Sequence, residues 1–150
     1  MTRANDTNVE LTIVTEFQRI HDIDPDIASF VDGDISKLLD AEFVGAELES
    51  GGDLIGYAAF DLRDPHRVHL LRVFVCEQYR RIGIGTELAK SHGRHPVKTA
   101  AAIGLPLFAL VPENAVDDQC FLRACGYRAV EIHEYEDDTA DSFLMEYESE

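Results

Sequence analysis

The chain has 150 residues, 45% of them hydrophobic, and carries 29 acidic against 13 basic side chains, which gives a formal net charge of −16. This length suits one domain with its own core, and no apolar run approaches the length of a membrane span. So negative a chain argues against nucleic acid and anionic membranes as partners. We therefore expect a single domain over residues 1–150, with residues 1–8 flexible.

The cysteines point to a reducing compartment. Cys76, Cys120 and Cys125 are odd in number and show no metal-ligand spacing, so reduced thiols are the simplest interpretation and no metal site is expected. No segment that joins basic residues to an apolar run opens the chain, as a secretory signal would. The sequence therefore predicts a cytoplasmic protein.

The first part of the chain predicts a strand followed by short helices. Residues 9–13 alternate between apolar and polar side chains, which indicates a half-buried strand. Asp24 and Pro25 fit a helix cap and the first helical position. Apolar residues at helical spacing follow at Ile27, Phe30 and Val31, and a further helical turn is expected from Ser36 to Asp40.

A hairpin and a long strand come next. Residues 43–49 and 54–62 are apolar runs separated by Ser-Gly-Gly-Asp, which predicts a hairpin. Asp64, Pro65 and His66 then predict a turn into a strand over residues 67–75.

That strand leads into a turn with two glycines and then an amphipathic helix. Gly83 and Gly85 place no side chain where an anion would approach backbone amides, and the helix start aims its unpaired N–H groups at the same spot. Arg80 and Arg81 add positive charge. A tight turn without a ligand can have the same pattern. A P-loop would need Gly-Lys-Ser/Thr, and a dinucleotide fingerprint would need glycine at Leu88.

The rest of the chain predicts two helices and three strands. A helix is expected from about Gly83 to Ile103, with a kink or break near His95 caused by Pro96. Residues 107–111 predict a strand, and a helix follows it. Residues 143–147 predict the last strand, with an acidic turn over residues 134–138 between the final two strands.

The middle of the chain resembles the GNAT N-acetyltransferase superfamily. Its motif A, Gln/Arg-x-x-Gly-x-Gly/Ala, follows the fourth strand and holds the pyrophosphate of acetyl-coenzyme A. Residues 107–111, followed by Pro-Glu-Asn114, resemble the family's fifth strand and its Asn. Residues 121–127 resemble the family's Phe-Tyr-x-x-x-Gly-Phe. Glu77 replaces a common proline. The residues in register with motif A and its neighbours are Val75, Tyr79, Arg80, Gly83, Ile84 and Gly85.

The resemblance implies an α/β (α+β) fold, with a central mixed twisted sheet of about seven strands flanked by about four helices. It also implies acetyl transfer from acetyl-CoA to a primary amine by direct attack in a ternary complex. Dimerisation through the late strands is usual in the family, but the sequence does not itself indicate a homodimer. The implied cofactor-binding residues are Val73, Val75, Arg80, Arg81, Ile82, Gly83, Ile84, Gly85, Thr86 and Asn114.

The resemblance also suggests a catalytic base. His69 lies six residues before Val75, where relatives carry a glutamate or histidine base, and an imidazole accepts protons near neutral pH. The alternative is a strand histidine that only fills space. The usual tyrosine acid is replaced by Leu122, and a slipped alignment would bring Phe121 or Cys120 there instead. A rival hypothesis follows, a catalytically weak acyl-CoA-binding module that acts as a sensor or partner-binding protein. An acidic interaction protein without a cofactor is a more distant alternative.

Charge is unevenly distributed along the sequence. Residues 65–112 contain seven basic residues and two acidic ones, so an anionic cofactor would meet the one basic stretch of an acidic protein. The acidity elsewhere would suit a cationic amine substrate or a saline cytoplasm. Because only three of the basic residues are lysine and aspartates are many, we favour the second explanation, since the composition resembles that of halophile proteins.

Overall fold

A computed structural model describes residues 8–27, 41–49, 52–64, 66–91, 106–134 and 141–147. Several sequence predictions fall outside these ranges. They are the helical positions Phe30 and Val31, the helical turn from Ser36 to Asp40, the kink near His95, the helix end at Ile103 and most of the acidic turn after Glu134.

The described residues form one seven-stranded sheet with the order β1-β2-β3-β4-β5-β7-β6. Neighbouring strands are antiparallel except for β4 and β5, which run parallel. This mixed sheet confirms the predicted fold class, and the predicted strand ends agree to within two residues. The strands are β1 Val9–Val14, β2 Ala41–Leu48, β3 Leu54–Asp61, β4 Val68–Val75, β5 Leu107–Pro112, β6 Tyr127–His133 and β7 Ser142–Tyr147.

Three α-helices lie within the described ranges, α1 Phe17–Ile23, α2 Ile84–Ala89 and α3 Val116–Ala124. A short 3₁₀ turn, Glu77–Tyr79, links β4 to the approach to α2. The start of α2 directly after Gly83 agrees with the sequence prediction. None of the helices in the described ranges has the length and apolarity needed to cross a membrane.

Helix α1 was not predicted from the sequence. Its apolar residues Phe17, Ile20 and Ile23 repeat at helical spacing, and the helix start predicted at Asp24 lies just beyond its end. Asp24 in fact ends α1, because its N–H donates to the Ile20 carbonyl at 2.9 Å. Its carboxylate bonds to side chains of the sheet. Ile27 is helical, as predicted.

Two apolar clusters cover the two faces of the sheet. The larger cluster packs α2 and α3 against one face through Ile84, Leu88 and Leu122. The smaller cluster packs Ile20 of α1 against the other face, beside Tyr57. Because the sheet is covered on both sides, β3 is buried over nearly its whole length. We call these the α2/α3 face and the α1 face.

Candidate functional site

Strands β4 and β5 begin as a pair and then separate. In the described residues they pair only at Val68 with Leu107 and at His69 with Phe108. Beyond these residues the strands leave a cleft of about 220 Å³ between them. Its lining residues are Leu70, Leu71, Arg72, Val73, Ala109, Leu110, Val111, Pro112, Asp118, Phe121 and Leu122.

The backbone of β4 turns polar groups toward this cleft. The N–H of Cys76 donates to the Ile55 carbonyl at 2.8 Å, and Val75 lies opposite Gly56 in the same antiparallel ladder. Because such a ladder alternates between hydrogen-bonded and non-hydrogen-bonded residue pairs, the peptide groups of Val75 and Val73 face away from β3. They face the side where β5 has moved away, so an extended polar chain could pair with them there.

The turn before α2 has the backbone shape that its glycines suggest. Gly83 has φ 92°, in the left-handed region, and a Cβ atom built on it would meet no atom within 4 Å. Arg81 also has a positive φ of 69°, a conformation that side chains other than glycine adopt rarely. A Cβ on Gly85 would lie 3.3 Å from the ring of Phe121. The turn is therefore open at Gly83 and closely packed at Gly85.

Arg80 is fixed to the end of β4. Its Nε donates to the Val75 carbonyl at 2.6 Å, and its guanidinium lies 5.7 Å from the ring centre of Phe74. The following residues, Arg81 and Ile82, are exposed. Arg80 therefore holds its positive charge beside the turn and bonds to the Val75 carbonyl. The Val75 N–H and the N–H and C=O of Val73 remain directed toward the cleft.

The other predicted cofactor-binding residues lie at the same end of the sheet. The side chain of Ile84 is buried in the core, so only its backbone can face a ligand. Thr86 accepts a weak hydrogen bond from the Cys125 thiol at 3.8 Å. Asn114 is exposed in the turn between β5 and α3. Because β4 and β5 run parallel, Val75 with the glycine turn and Asn114 follow the carboxyl ends of neighbouring strands, at one edge of the sheet.

His69 lies in the last pair of β4 with β5 before the strands separate, next to the cleft but not among its lining residues. Its ring stacks on Phe108 with 4.5 Å between ring centres, and the Arg67 guanidinium lies 4.0 Å from the centre of the same ring. Burial lowers the pKa of His69 below 6.5, and the carboxylate of Asp61 on the neighbouring strand opposes this shift only in part. The imidazole is therefore largely neutral near pH 7 and able to accept a proton.

The position of the family's usual acid is apolar in this chain. Phe121 and Leu122, the alternatives left open by the sequence, both line the cleft, whereas Cys120 is exposed. Among the lining residues Asp118 carries the only carboxyl group, and none carries a hydroxyl. No side chain of the described lining is therefore an evident acid with a pKa suited to a leaving thiolate.

A buried polar cluster next to the cleft was missed by the sequence analysis. The Asp24 carboxylate, 2% exposed, accepts a hydrogen bond of 2.6 Å from the Tyr57 hydroxyl and one of 2.8 Å from Arg72 Nε. A second guanidinium nitrogen of Arg72 donates to the other Asp24 oxygen at 3.2 Å. Burial raises the pKa of Tyr57, and the hydrogen bond to Asp24 raises it further. The available signal was Arg72 itself, a lone charge in the apolar run of β4.

Comparisons with known proteins agree with this geometry. A profile described as the Acetyltransferase (GNAT) family matches residues 12–94, more than half of the chain. A GNAT family acetyltransferase from Elizabethkingia anophelis, solved with acetyl-CoA bound, is 16% identical with a TM-score of 0.67, and the match covers 95% of this chain and 99% of that one. No curated protein sequence matches significantly.

Two further solved structures share the fold. The IAA acetyltransferase from Bacillus cereus is 20% identical with a TM-score of 0.60, over 93% of this chain and 99% of that one. The PaiA N-acetyltransferase from Thermoplasma acidophilum, in complex with coenzyme A, is 16% identical with a TM-score of 0.64, over 95% and 99%. Because the profile match covers more than half of the chain, including β4 and the glycine turn, the chain belongs to the GNAT acetyltransferase family.

Proposed function

We propose that the protein is an N-acetyltransferase that moves an acetyl group from acetyl-CoA to a primary amine by direct attack in a ternary complex. The observation that carries the proposal is the cleft between β4 and β5, which opens toward the glycine turn. Acetyl-CoA joins an extended, amide-containing arm to a pyrophosphate, and the cleft and the glycine turn follow each other in the same order. The similar folds solved with acetyl-CoA or CoA bound support this choice of donor.

In this proposal the pantetheine arm lies beside β4 and acts as an extra strand. The Val73 N–H and C=O and the Val75 N–H bond to its amides, and Asn114 lies at the outer end of the cleft. The pyrophosphate binds over Gly83, where a Cβ would meet only open space. The backbone amides from Ile82 to Thr86 bind it together with Arg80 and Arg81, and the start of α2 favours the negative charge.

The proposed chemistry needs one base and good placement. The amine attacks the thioester carbon, a C–N bond forms, the C–S bond breaks, and CoA leaves as the thiolate. His69 accepts the proton lost by the amine, for which its lowered pKa keeps the imidazole neutral at pH 7. In this proposal the thioester lies near Leu71. His69 precedes Leu71 by two residues, about 7 Å along the strand, so we place a water between the imidazole and the amine.

A second candidate is an acyl-CoA-binding module with little or no transfer activity. The apolar Phe121 and Leu122 favour it, because no hydroxyl of the described cleft lining protonates the leaving thiolate. A thiol with a pKa of about 8.5 can depart as the anion, so transfer without an acid remains our first proposal. The two candidates predict the same binding and differ only in turnover.

We propose a cytoplasmic protein of a halophilic organism, whose net charge of −16 is an adaptation to salt rather than a guide to the substrate. The partners would be acetyl-CoA and a small amine or peptide amine, with a homodimer formed through the late strands. Nucleic acid and membrane partners do not fit this charge.

Amine-dependent release of CoA thiol from acetyl-CoA tests the function. The assay uses polyamines, aminoglycosides, amino acids and short peptides in molar potassium chloride, with His69→Gln measured beside the wild type. An acetyltransferase releases thiol only with an accepted amine, and His69→Gln lowers kcat while leaving the Kd of CoA unchanged. Micromolar CoA binding without release for any amine would establish the binding module instead.

A further inference from the structure

We propose that Asp24 and Arg72 are positioning residues whose ion pair fixes a β-bulge in β4 and thereby holds the donor cleft open. The inference rests on the proposed function for its catalytic consequence. The bulge and its ion pair are properties of the free protein, so they can be tested without any ligand.

The bulge is visible in the pairing of β3 with β4. Ala59 lies opposite Arg72 and Phe60 lies opposite Leu70, so Leu71 is an extra residue in β4. The side chain of Leu70 packs into the cluster on the α2/α3 face. Leu71 and Arg72 both direct their side chains to the α1 face, Leu71 into the smaller cluster and Arg72 onto Asp24. The alternation of side chains along β4 therefore changes phase at Leu71.

The ion pair gives this phase change a physical cause. Without the bulge, Arg72 would point to the same face as Leu70, because side chains two residues apart share a face. Its guanidinium would enter the apolar cluster and Asp24, 2% exposed, would lose its charged partner. A buried charge without a partner is strongly unfavourable. The pair thus selects the bulged register over the regular one.

The bulge also lies where the cleft begins. The last described pair between β4 and β5 is His69 with Phe108, and the extra residue Leu71 follows two positions later. Beyond the bulge the peptide groups of Val73 face the open side. In a regular strand the one-residue shift would turn those groups toward β3. The Asp24–Arg72 pair therefore decides whether Val73 can bind the pantetheine arm and hold the thioester in place.

The pair also ties α1 to β4 across the α1 face. Asp24 ends α1, and its two carboxylate oxygens receive the two guanidinium nitrogens of Arg72. Tyr57 of β3 donates to the same carboxylate but is neutral. Removing the Tyr57 hydroxyl leaves the ion pair in place, so Tyr57→Phe is a matched control that weakens the cluster without releasing Arg72.

The test compares Asp24→Asn with Tyr57→Phe in two measurements. The first is amide hydrogen exchange by NMR in the free protein. There Asp24→Asn should slow the exchange of Val73, whose N–H turns toward β3 when the bulge is lost, and speed that of Arg72, whose N–H turns away from β3, whereas Tyr57→Phe should leave the protection of both unchanged. The second is transfer to the amine that the wild type acetylates fastest. There Asp24→Asn should lower kcat about tenfold or more and also weaken CoA binding, because Val73 no longer faces the pantetheine arm, and Tyr57→Phe should keep both kcat and the Kd of CoA within about threefold.

If Asp24→Asn does not fold, Arg72→Lys replaces it, because lysine keeps the charge but lacks the planar fork with which the guanidinium pairs with both carboxylate oxygens. The proposal is overturned if the exchange of residues 72 and 73 is unchanged in the folded variant. It is also overturned if kcat falls equally in Tyr57→Phe and in the ion-pair variant. A wild type that binds no CoA would refute the proposed function alone, since the exchange result still decides the role of the ion pair.

Discussion

Alanine at Gly83 should harm acetyl-CoA binding far more than it harms folding. Gly83 has φ 92°, and left-handed backbone costs a residue with a Cβ about 1–2 kcal/mol. The added methyl group meets no protein atom within 4 Å, so the strain is the only direct cost to the free protein. For a domain of this size we expect Tm to fall by about 2–4 °C per kcal/mol.

The matched control is Gly52→Ala. Gly52 lies in the turn between β2 and β3, has φ 72° and likewise has no atom within 4 Å of a built Cβ. Its strain should therefore lower Tm by a similar amount. In the proposal only the methyl group at position 83 enters the space of the pyrophosphate, where it would remove hydrogen bonds to a charged group worth about 1.5–3 kcal/mol each.

The assay is calorimetric titration of acetyl-CoA into wild type, Gly83→Ala and Gly52→Ala, with thermal unfolding of the same samples. Gly83→Ala should weaken binding about tenfold to a hundredfold, and Gly52→Ala should leave the Kd unchanged. Equal affinities of the two variants would show that the turn at Gly83 does not bind the cofactor. A loss of affinity in both would trace the effect to general destabilisation.

Three further predictions concern the base, the leaving group and the charge. Burial lowers the pKa of His69, so the unfolded chain binds more protons below pH 6.5 and the free energy of unfolding should fall as pH drops from there toward the folded-state pKa. His69→Gln should remove that part of the slope in urea titrations across this range, and an unchanged slope would refute the burial of the imidazole. Phe121→Tyr adds a hydroxyl in the cleft and should raise kcat several-fold if thiolate departure limits turnover, measured by thiol release; an unchanged kcat would show that departure is not limiting. Because the net charge is −16, Tm should rise between low and molar potassium chloride, and a Tm independent of salt would argue against salt adaptation.

The sequence predicted the parts of the fold that local pattern and turn chemistry decide. The strands around Val75 and Leu107 are short apolar runs bounded by turn residues, and the left-handed turn at Gly83 needs a residue without a Cβ. Their ends therefore agree closely with the structure.

What the sequence did not reveal depends on contacts between distant parts of the chain. The Asp24 carboxylate looked like a helix cap because aspartate followed by proline is a common helix start, but tertiary packing buried it against Tyr57 and Arg72. The extra residue Leu71 leaves no local mark, because the run from Val68 to Val75 reads equally well as a regular buried strand. Only the register with β3 shows which face each side chain takes.

A crystal structure with acetyl-CoA tests the central claim most directly. Our account predicts the pantetheine arm between β4 and β5, bonded to both peptide groups of Val73 and to the Val75 N–H, while Arg80 keeps the Val75 carbonyl. It predicts the pyrophosphate over Gly83 and the thioester near the bulge at Leu71. A cofactor bound elsewhere, or a cleft that stays empty in crystals soaked with acetyl-CoA, would contradict it.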